Sequence, residues 1–514
     1  MKYDQIVLGA GSAGAIVAAR LSEDPYRSVL LIEAGPDYPD FERMPDDVKY
    51  GYATAADVMV NDRHVRWFTA RATEQAPPMM VPAGTLTGGG SAVNGQVFLR
   101  GVPEDFDSWA ANGNGEWEFA QCLPFMRKLE TDRDFAGDDF HGSSGPIIAR
   151  RFKANEWLRD QKAFHDACRA AGFPDCPDFN HPQGSGVGPV PFNNPDAIRW
   201  STSIAYLNPA RHRLNLTIRP RCRVNRILFE GDRAVAVEVI NSGEKFVVEG
   251  GEIILSAGAI GSPHLLMLSG AGPADQLRSF DIPVIRDLPG VGRNLRDHPY
   301  CNVTWRTRDD FVLDPMTPRL QLALRWTSRD STLRNDLMLL MFSYAQQLER
   351  GRLAPVGTRM LAVVELAMSA GDLRLRSADP EVQPSLDYGY LRDELDRRRM
   401  REAIRLAVQL GEHEDFKAIT TGRIEPTADD LRSDESLDDF ARRAVTTSMH
   451  ISGTCKMGPA SDPMSVVDQY GRVRGLLNIR VADASIMPNC VRANTNLTTM
   501  MIGERIADFI RQGR

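Results

Sequence analysis

The stretch that most constrains this chain is its first: YDQIVLGAGSAGAIVAARLSEDPYRSVLLIEAG, Tyr3 to Gly35. Ile6, Val7 and Leu8 form a short apolar run of the kind buried on both faces of a parallel sheet. Gly9, Gly11 and Gly14 then give G-x-G-x-x-G, and Ala13, Val17 and Leu21 follow at helical spacing. A second apolar run, Val29 to Ile32, ends on the acid Glu33, nineteen residues beyond Gly14 (33 − 14). Strand, glycine turn, helix, strand and acid in this register describe a β-α-β unit. The glycines permit a tight turn and close approach of a pyrophosphate, whose charge the free N–H groups of the helix N-terminus favour. Glu33 is placed to accept hydrogen bonds from a ribose, which disfavours a 2′-phosphate and hence NADP. The unit alone does not separate FAD from NAD. A bare glycine-rich turn is the plainer alternative, and the second strand with its acid argues against it.

At 514 residues the chain exceeds one ordinary core, so two domains are expected. A net charge of −7, with no Lys/Arg block interleaved with aromatics, argues against a nucleic-acid partner. Seven cysteines are scattered without a C-x-x-C pair, so neither a zinc site nor a redox dithiol is indicated and a reducing compartment fits. No run of about 18 apolar residues occurs, so no membrane span is expected. The opening strand pattern has no signal peptide ahead of it, and a cytoplasmic location is the expectation.

Three later stretches carry more. PAGTLTGGGSAVNGQVFLRG (Pro82–Gly101) packs Gly88, Gly89 and Gly90 together, leaving backbone that a flat ring system can press against. SAGAIGSPHLLMLSGAGP (Ser256–Pro273) follows the apolar strand Ile253-Ile254-Leu255, and VADASIMPNCVRANTNLTTMMIGERIADFI (Val481–Ile510) closes the chain. With the opening unit and SMHISGTCKMG (Ser448–Gly458), in this order over nearly the whole chain, the sequence resembles the glucose-methanol-choline (GMC) oxidoreductase family. The pattern is nearest that of bacterial choline dehydrogenase-like and hydroxymethylfurfural oxidase-like members.

The resemblance implies an α/β fold (α+β overall): a Rossmann-like FAD-binding domain with an interleaved, sheet-based substrate domain. The FAD-binding domain is expected in three pieces, 1–155, 205–298 and 445–514, and the substrate domain in two, 156–204 and 299–444. It also implies that FAD is contacted by Gly9, Gly11, Ser12, Ala13, Gly14, Glu33 and Ala34, and by Gly84, Gly89, Gly90, Asn94, Gly95 and Val97. Val224, Ala257, Gly258, Asp483, Ala484, Asn496, Leu497 and Thr498 complete the set. Some family members bind FAD covalently through a histidine just before the Asn at 94; Val93 stands there, so a non-covalent FAD is expected. Ala83, Thr85 and Thr87 depart from the commoner residues of that loop. Leu216 to Val239 reads as strand, turn and strand around Gly231-Asp232. Leu391 to His413 reads as an amphipathic helix with apolar Leu391, Leu395, Met400, Ala403, Ile404, Ala407 and Val408, its charge run a solvated face.

Alcohol oxidation by a flavin needs a group to take the hydroxyl proton, and histidine suits that task near neutral pH. The resemblance places this base at His450 and its partner at Asn494, which would position the substrate oxygen. A satisfied core imidazole and a helix cap are the plainer readings of these two residues. His298, in GVGRNLRDH, fits a structural hydrogen-bonding role better than a catalytic one, and Cys455 a small buried residue. The expected activity is oxidation of a small-molecule alcohol to an aldehyde or ketone, with electrons passed to oxygen or a quinone-like acceptor. A flavin-containing lyase of the hydroxynitrile lyase type and a non-catalytic dinucleotide-binding protein remain the alternatives at this point.

Overall fold

The structure, a computed structural model, describes residues 2–51, 63–312, 318–349 and 352–514. The elements that build the site run in chain order from β1 (Lys2–Leu8), α1 (Gly14–Leu21) and β2 (Val29–Ile32) to β3 (Gly186–Pro189), β4 (Leu216–Arg219), β5 (Arg223–Glu230), β6 (Arg233–Asn241) and β7 (Glu244–Leu255). There follow α2 (Gly258–Leu268), β8 (Pro299–Thr307), β9 (Leu320–Trp326), β10 (Leu337–Glu349), β11 (Arg352–Val364) and α3 (Glu394–Gly411). The last are β12 (Thr420–Glu425), β13 (Thr446–Thr447), β14 (Ile479–Val481) and α4 (Thr495–Arg511).

Two seven-stranded sheets organise the molecule. The first has the order β4-β2-β1-β7-β6-β5, with β14 also pairing β7. Its centre is parallel: β1 pairs β2 and β7, and β2 pairs β4. The apolar runs of the sequence are buried on both faces here, as a parallel sheet covered by helices requires; Ile6, Val7, Val29 and Leu31 are wholly inaccessible. Leu216 begins a separate parallel strand, β4, and only Arg223 onward forms the antiparallel hairpin β5-β6, which turns at Gly231 with φ +62°. The single hairpin read from the sequence is thus three strands, because Leu216–Arg219 finds a partner in β2 and not in its own neighbour. Helix α1 packs against α4, and the close approach needs Gly503: a Cβ there would lie 2.8 Å from the Ala13 carbonyl oxygen.

The second sheet is antiparallel, in the order β12-β8-β11-β10-β9-β3, with β13 pairing the start of β8. Helix α3 covers it, capped by Asp393, whose carboxylate accepts the Leu395 N–H at 2.8 Å. Met400, Ala403, Ile404 and Ala407 face the sheet as expected. Leu391 lies ahead of the helix at φ +57°, and the charge run is not wholly solvated. Asp396 and Arg399 are fully buried, 2.7 Å apart, and Asp396 also accepts the backbone N–H groups of Met368 and Ser369. The helix therefore spends two of its charges on pinning the loop after β11.

Residues Arg100, Glu130, Asp132, His141, Arg151 and Asp178 form a buried ionic cluster. Arg100 meets Glu130 at 2.5 Å, and Arg151 meets Asp132 at 2.9 Å and Asp178 at 2.6 Å. His141 bridges these acids; burial favours its neutral form, but hydrogen bonds to Asp132, Asp178 and Glu130 outweigh that and push it up to about 10.

Candidate active site

A cavity of about 630 Å³ lies between the two sheets, running from the glycine turn after β1 to the face of β8–β11 that carries Tyr300, Phe342 and Arg359. At one end its wall is mostly backbone. Gly9 (φ +100°) and Gly14 are needed for packing, since a Cβ would meet the Ser256 oxygen at 2.5 Å or the Gly9 oxygen at 2.0 Å. Gly90 and Gly258 differ: they line the cavity, and a Cβ on either would meet no protein atom within 4 Å. Those bare faces open onto space wide enough for a flat ring and a pyrophosphate. Glu33 sits at the end of β2, its carboxylate accepting the N–H groups of Ala10 and Gly35 at 2.9 Å each. Burial pushes Glu33 up to about 7 against those bonds. Asn496 accepts the Ser12 hydroxyl at 2.8 Å, while its amide nitrogen is buried with no partner among the described residues. An orphaned donor facing a glycine-lined cradle fits the acceptor-rich edge of a flavin.

Gly9, Gly11, Ser12, Ala13, Glu33, Ala34, Gly84, Gly89, Gly90, Asn94, Gly95 and Val97 all lie on this wall, and so do Val224, Ala257, Gly258, Asp483, Ala484 and Asn496. Gly14, Leu497 and Thr498 do not. Gly14 is buried against the Gly9 carbonyl, and in α4 the 100° step per residue turns Asn496 and Thr499 to the cavity while Leu497 and Thr498 turn into the core. Asp483 uses both oxygens inside the protein: one accepts Ser485 N–H, the other Gly258 N–H and the Ser262 hydroxyl. It shapes the turn that carries Gly258.

The chemistry lies where β8 and β13 meet. His450 is half-buried, on the cavity wall, with Nε2 3.0 Å from the Asn494 amide nitrogen. Asn494 precedes α4 but makes no capping hydrogen bond with its side chain, so it is free for the cavity. Behind His450 stands His298, fully buried, the two Nδ1 atoms 2.8 Å apart. One ring must donate and the other accept across that contact. Burial and then the charge of His298 hold His450 well below the ordinary histidine value. Burial also opposes charge on His298, but Cys490 and Glu365 outweigh it and push His298 up to about 10. Glu365 Oε2 is 3.6 Å from His298 Nδ1. The pair's positive charge, when present, therefore belongs on the inner ring.

Asp297 fixes both histidines. One carboxylate oxygen accepts the backbone N–H of His298 and of His450, each at 2.8 Å. The other accepts the Tyr390 hydroxyl at 2.6 Å and the Thr447 hydroxyl. Met449, just before His450, is held at φ +65°, a left-handed conformation that a non-glycine residue adopts only where its surroundings enforce it. Asp297, Glu365, Tyr300, Arg319 and Arg359 were not singled out by sequence reasoning; no local pattern marks them, and the contacts that reveal them span sequence separations of dozens of residues or more. Among the described residues, Glu130, Asp132 and His141 are close enough to share a cation, but Arg100 and Arg151 already neutralise them.

A glycine-walled cradle on a parallel β-α-β sheet, opening onto a histidine–asparagine pair, defines a flavin-dependent oxidoreductase. The chain belongs to the GMC oxidoreductase family: residues 3–300 and 367–503 match the two GMC oxidoreductase models. It is an FAD-dependent enzyme acting on alcohol donors. It is 36% identical to the mitochondrial choline dehydrogenase of Mus musculus, over 99% of this chain and 89% of that protein. It is equally 36% identical to the oxygen-dependent choline dehydrogenase of Klebsiella pneumoniae, over 99% and 96%. Pyridoxine 4-oxidase from Mesorbium loti superimposes with a TM-score of 0.91 at 30% identity, over 99% of each chain. Among the described residues no helix is long and apolar enough to cross a membrane.

Proposed function

We propose that His450 takes the hydroxyl proton of the substrate and that Asn494 holds the substrate oxygen in place. The observation that carries this is the chain Asn494–His450–His298–Glu365, which offers one outward imidazole nitrogen to the cavity and buries everything behind it. Bound FAD supplies the hydride acceptor. In the competent state His450 donates Nδ1–H to His298 and presents the Nε2 lone pair, which the Asn494 amide occupies until substrate displaces it. When His450 gains a proton at Nε2, its Nδ1 proton shifts to His298, where Glu365 favours the charge. His264, the other histidine on the wall, sits in α2 beside Arg66 and is held down at about 4 by burial and then by that arginine.

The same reading assigns 1–155, 205–298 and 445–514 to the FAD layer and 156–204 and 299–444 to the substrate layer. Its support is that β1, β2, β4–β7 and β14 share one sheet and β3 and β8–β12 the other, while β13, at the start of the last FAD piece, pairs across to β8. FAD is held non-covalently, since Val93 lines the cavity with no atom that can form a bond to it; acid precipitation should release all of the flavin. Electrons leave to oxygen or to a quinone-like acceptor, and air reoxidation after anaerobic bleaching separates these. Choline is the substrate named for several relatives, but the side chains described next favour another charge type.

The decisive experiment is anaerobic flavin reduction by an alcohol in His450→Ala. The variant should keep its FAD and reduce it about 10² to 10⁴ times more slowly. Reduction at the wild-type rate would remove His450 from the role, and a wild-type protein whose flavin no alcohol bleaches would favour the lyase.

A further inference from the structure

Opposite the histidines, the cavity is walled by one face of the antiparallel sheet. Residues directly paired across antiparallel strands share a face, so the register defines rows. Tyr300 opens the face beside the histidines. The next row is Asn302, Leu361 and Leu340, and the row after it Thr304, Arg359, Phe342 and Leu320. Arg319 stands just ahead of β9 and is tied in by its carbonyl, which accepts the Ser343 N–H at 2.8 Å.

Arg319 and Arg359 both line this cavity, and neither guanidinium has a hydrogen-bond or ion-pair partner among the described residues. Nε of each, and Nη1 of Arg319, are buried and unsatisfied. Each guanidinium is instead held near an aromatic ring: Arg319 4.0 Å from the Tyr344 centroid, Arg359 5.5 Å from that of Phe342. Such contacts fix the position of a cation without neutralising it. Among the described residues the acids on the cavity wall, Glu33 and Asp483, are both at the cofactor end. Two unneutralised guanidiniums in a half-buried apolar pocket are costly unless something anionic meets them.

Taking His450 as the mark of the alcohol end, we propose that the substrate is an alcohol that carries a carboxylate, received by Arg319 and Arg359. Its apolar body lies over Leu340, Leu361 and Phe342. The guanidinium fork matches a planar carboxylate with two parallel N–H···O bonds. Four residues of β8, about 13 Å of strand, separate Tyr300 from the Arg359 row, and an arginine side chain reaches back over part of that span. This length admits an aryl or long-chain hydroxy acid and leaves a short one unable to touch both ends. In the reaction the hydroxyl proton goes to His450 and two electrons with the carbon-bound hydrogen go to FAD, while the carboxylate leaves unchanged on the aldehyde. A quaternary ammonium alcohol places its charge against the arginines.

The test uses the holoenzyme and three alcohols of one shape: 4-(hydroxymethyl)benzoate, 4-methylbenzyl alcohol and 4-(trimethylammonio)benzyl alcohol. Anaerobic flavin reduction should give the carboxylate a kcat/KM at least about 100-fold above the neutral alcohol, with the cation lowest. Arg319→Met and Arg359→Met should each lower the carboxylate-to-neutral ratio about 10- to 100-fold, and the Lys variants should keep part of it. A neutral or cationic alcohol preferred by the wild type, or an unchanged ratio in both Met variants, overturns the proposal. In His450→Ala, binding of 4-methylbenzoate followed by the flavin difference spectrum should persist and weaken when either arginine is removed. That arm reads the anion site without turnover, so failure of the base assignment and failure of the anion site show up separately.

Discussion

Glu365→Gln keeps the shape of the inner network and removes one charge. Glu365 Oε2 lies 3.6 Å from His298 Nδ1, and both groups are buried. At an effective dielectric constant of about 20, that separation is worth about 4–5 kcal/mol, or about three pH units of preference for a charged His298. Water entering beside the new amide reduces this, so a shift of about one to three units is expected. The sign follows from the proton count of the pair. With an extra proton the inner ring is charged and donates to His450 Nδ1, which leaves the His450 proton on Nε2 and no lone pair for the substrate. Activity therefore needs the pair without its extra proton, and the limiting rate of flavin reduction should rise with pH toward the inner ring's value of about 10. Glu365→Gln lowers that value, so the rise should move to lower pH. Stopped-flow reduction from about pH 6 to 10, at saturating alcohol, measures both profiles. A wild-type profile flat across that range, or two superimposable profiles, would refute the proton relay between the rings.

Other outcomes follow from the packing. Gly90→Leu should fold and purify without yellow colour, because its side chain fills the cradle, whereas Gly14→Val should lower yield and melting temperature through the clash with the Gly9 oxygen. Visible absorbance and thermal unfolding separate these two results. Arg151→Leu takes one of two cations from Asp132 and Asp178 and leaves them His141 alone; unfolding in denaturant should show a loss of about 3 kcal/mol with the flavin-reduction rate per bound FAD little changed.

Much of the fold was legible because its signals are local. The β-α-β unit announces itself within Tyr3 to Gly35, although the contact that requires Gly9 comes from Ser256, far along the chain. His450 and Asn494 were legible only through the resemblance, since nothing around SMHISGTCKMG distinguishes a base from a core imidazole. The support of the pair was not legible: Asp297 reaches His450 because β8 pairs β13, Glu365 reaches His298 from the end of β11, and Cys490 reaches His450 from the loop ahead of α4. The resemblance placed Leu497 and Thr498 at the cofactor, and the turn of α4 faces both into the core. The charge run of α3 looked solvated because burial of Asp396 depends on a loop far along the chain. Arg319 and Arg359 carry no local signal in the sequence; Arg359 reaches the cavity through the cross-strand register, and Arg319 from the segment just ahead of β9.

The chain passes between its two layers just ahead of Pro299 and again just after Thr447, and these residues are paired to each other at the start of β8. His450 thus stands beside a seam where the two layers meet through paired backbone, while Arg359 stands on β11, inside the second sheet. Substitutions along that sheet's face can change what the cavity receives without touching the backbone that carries the histidines.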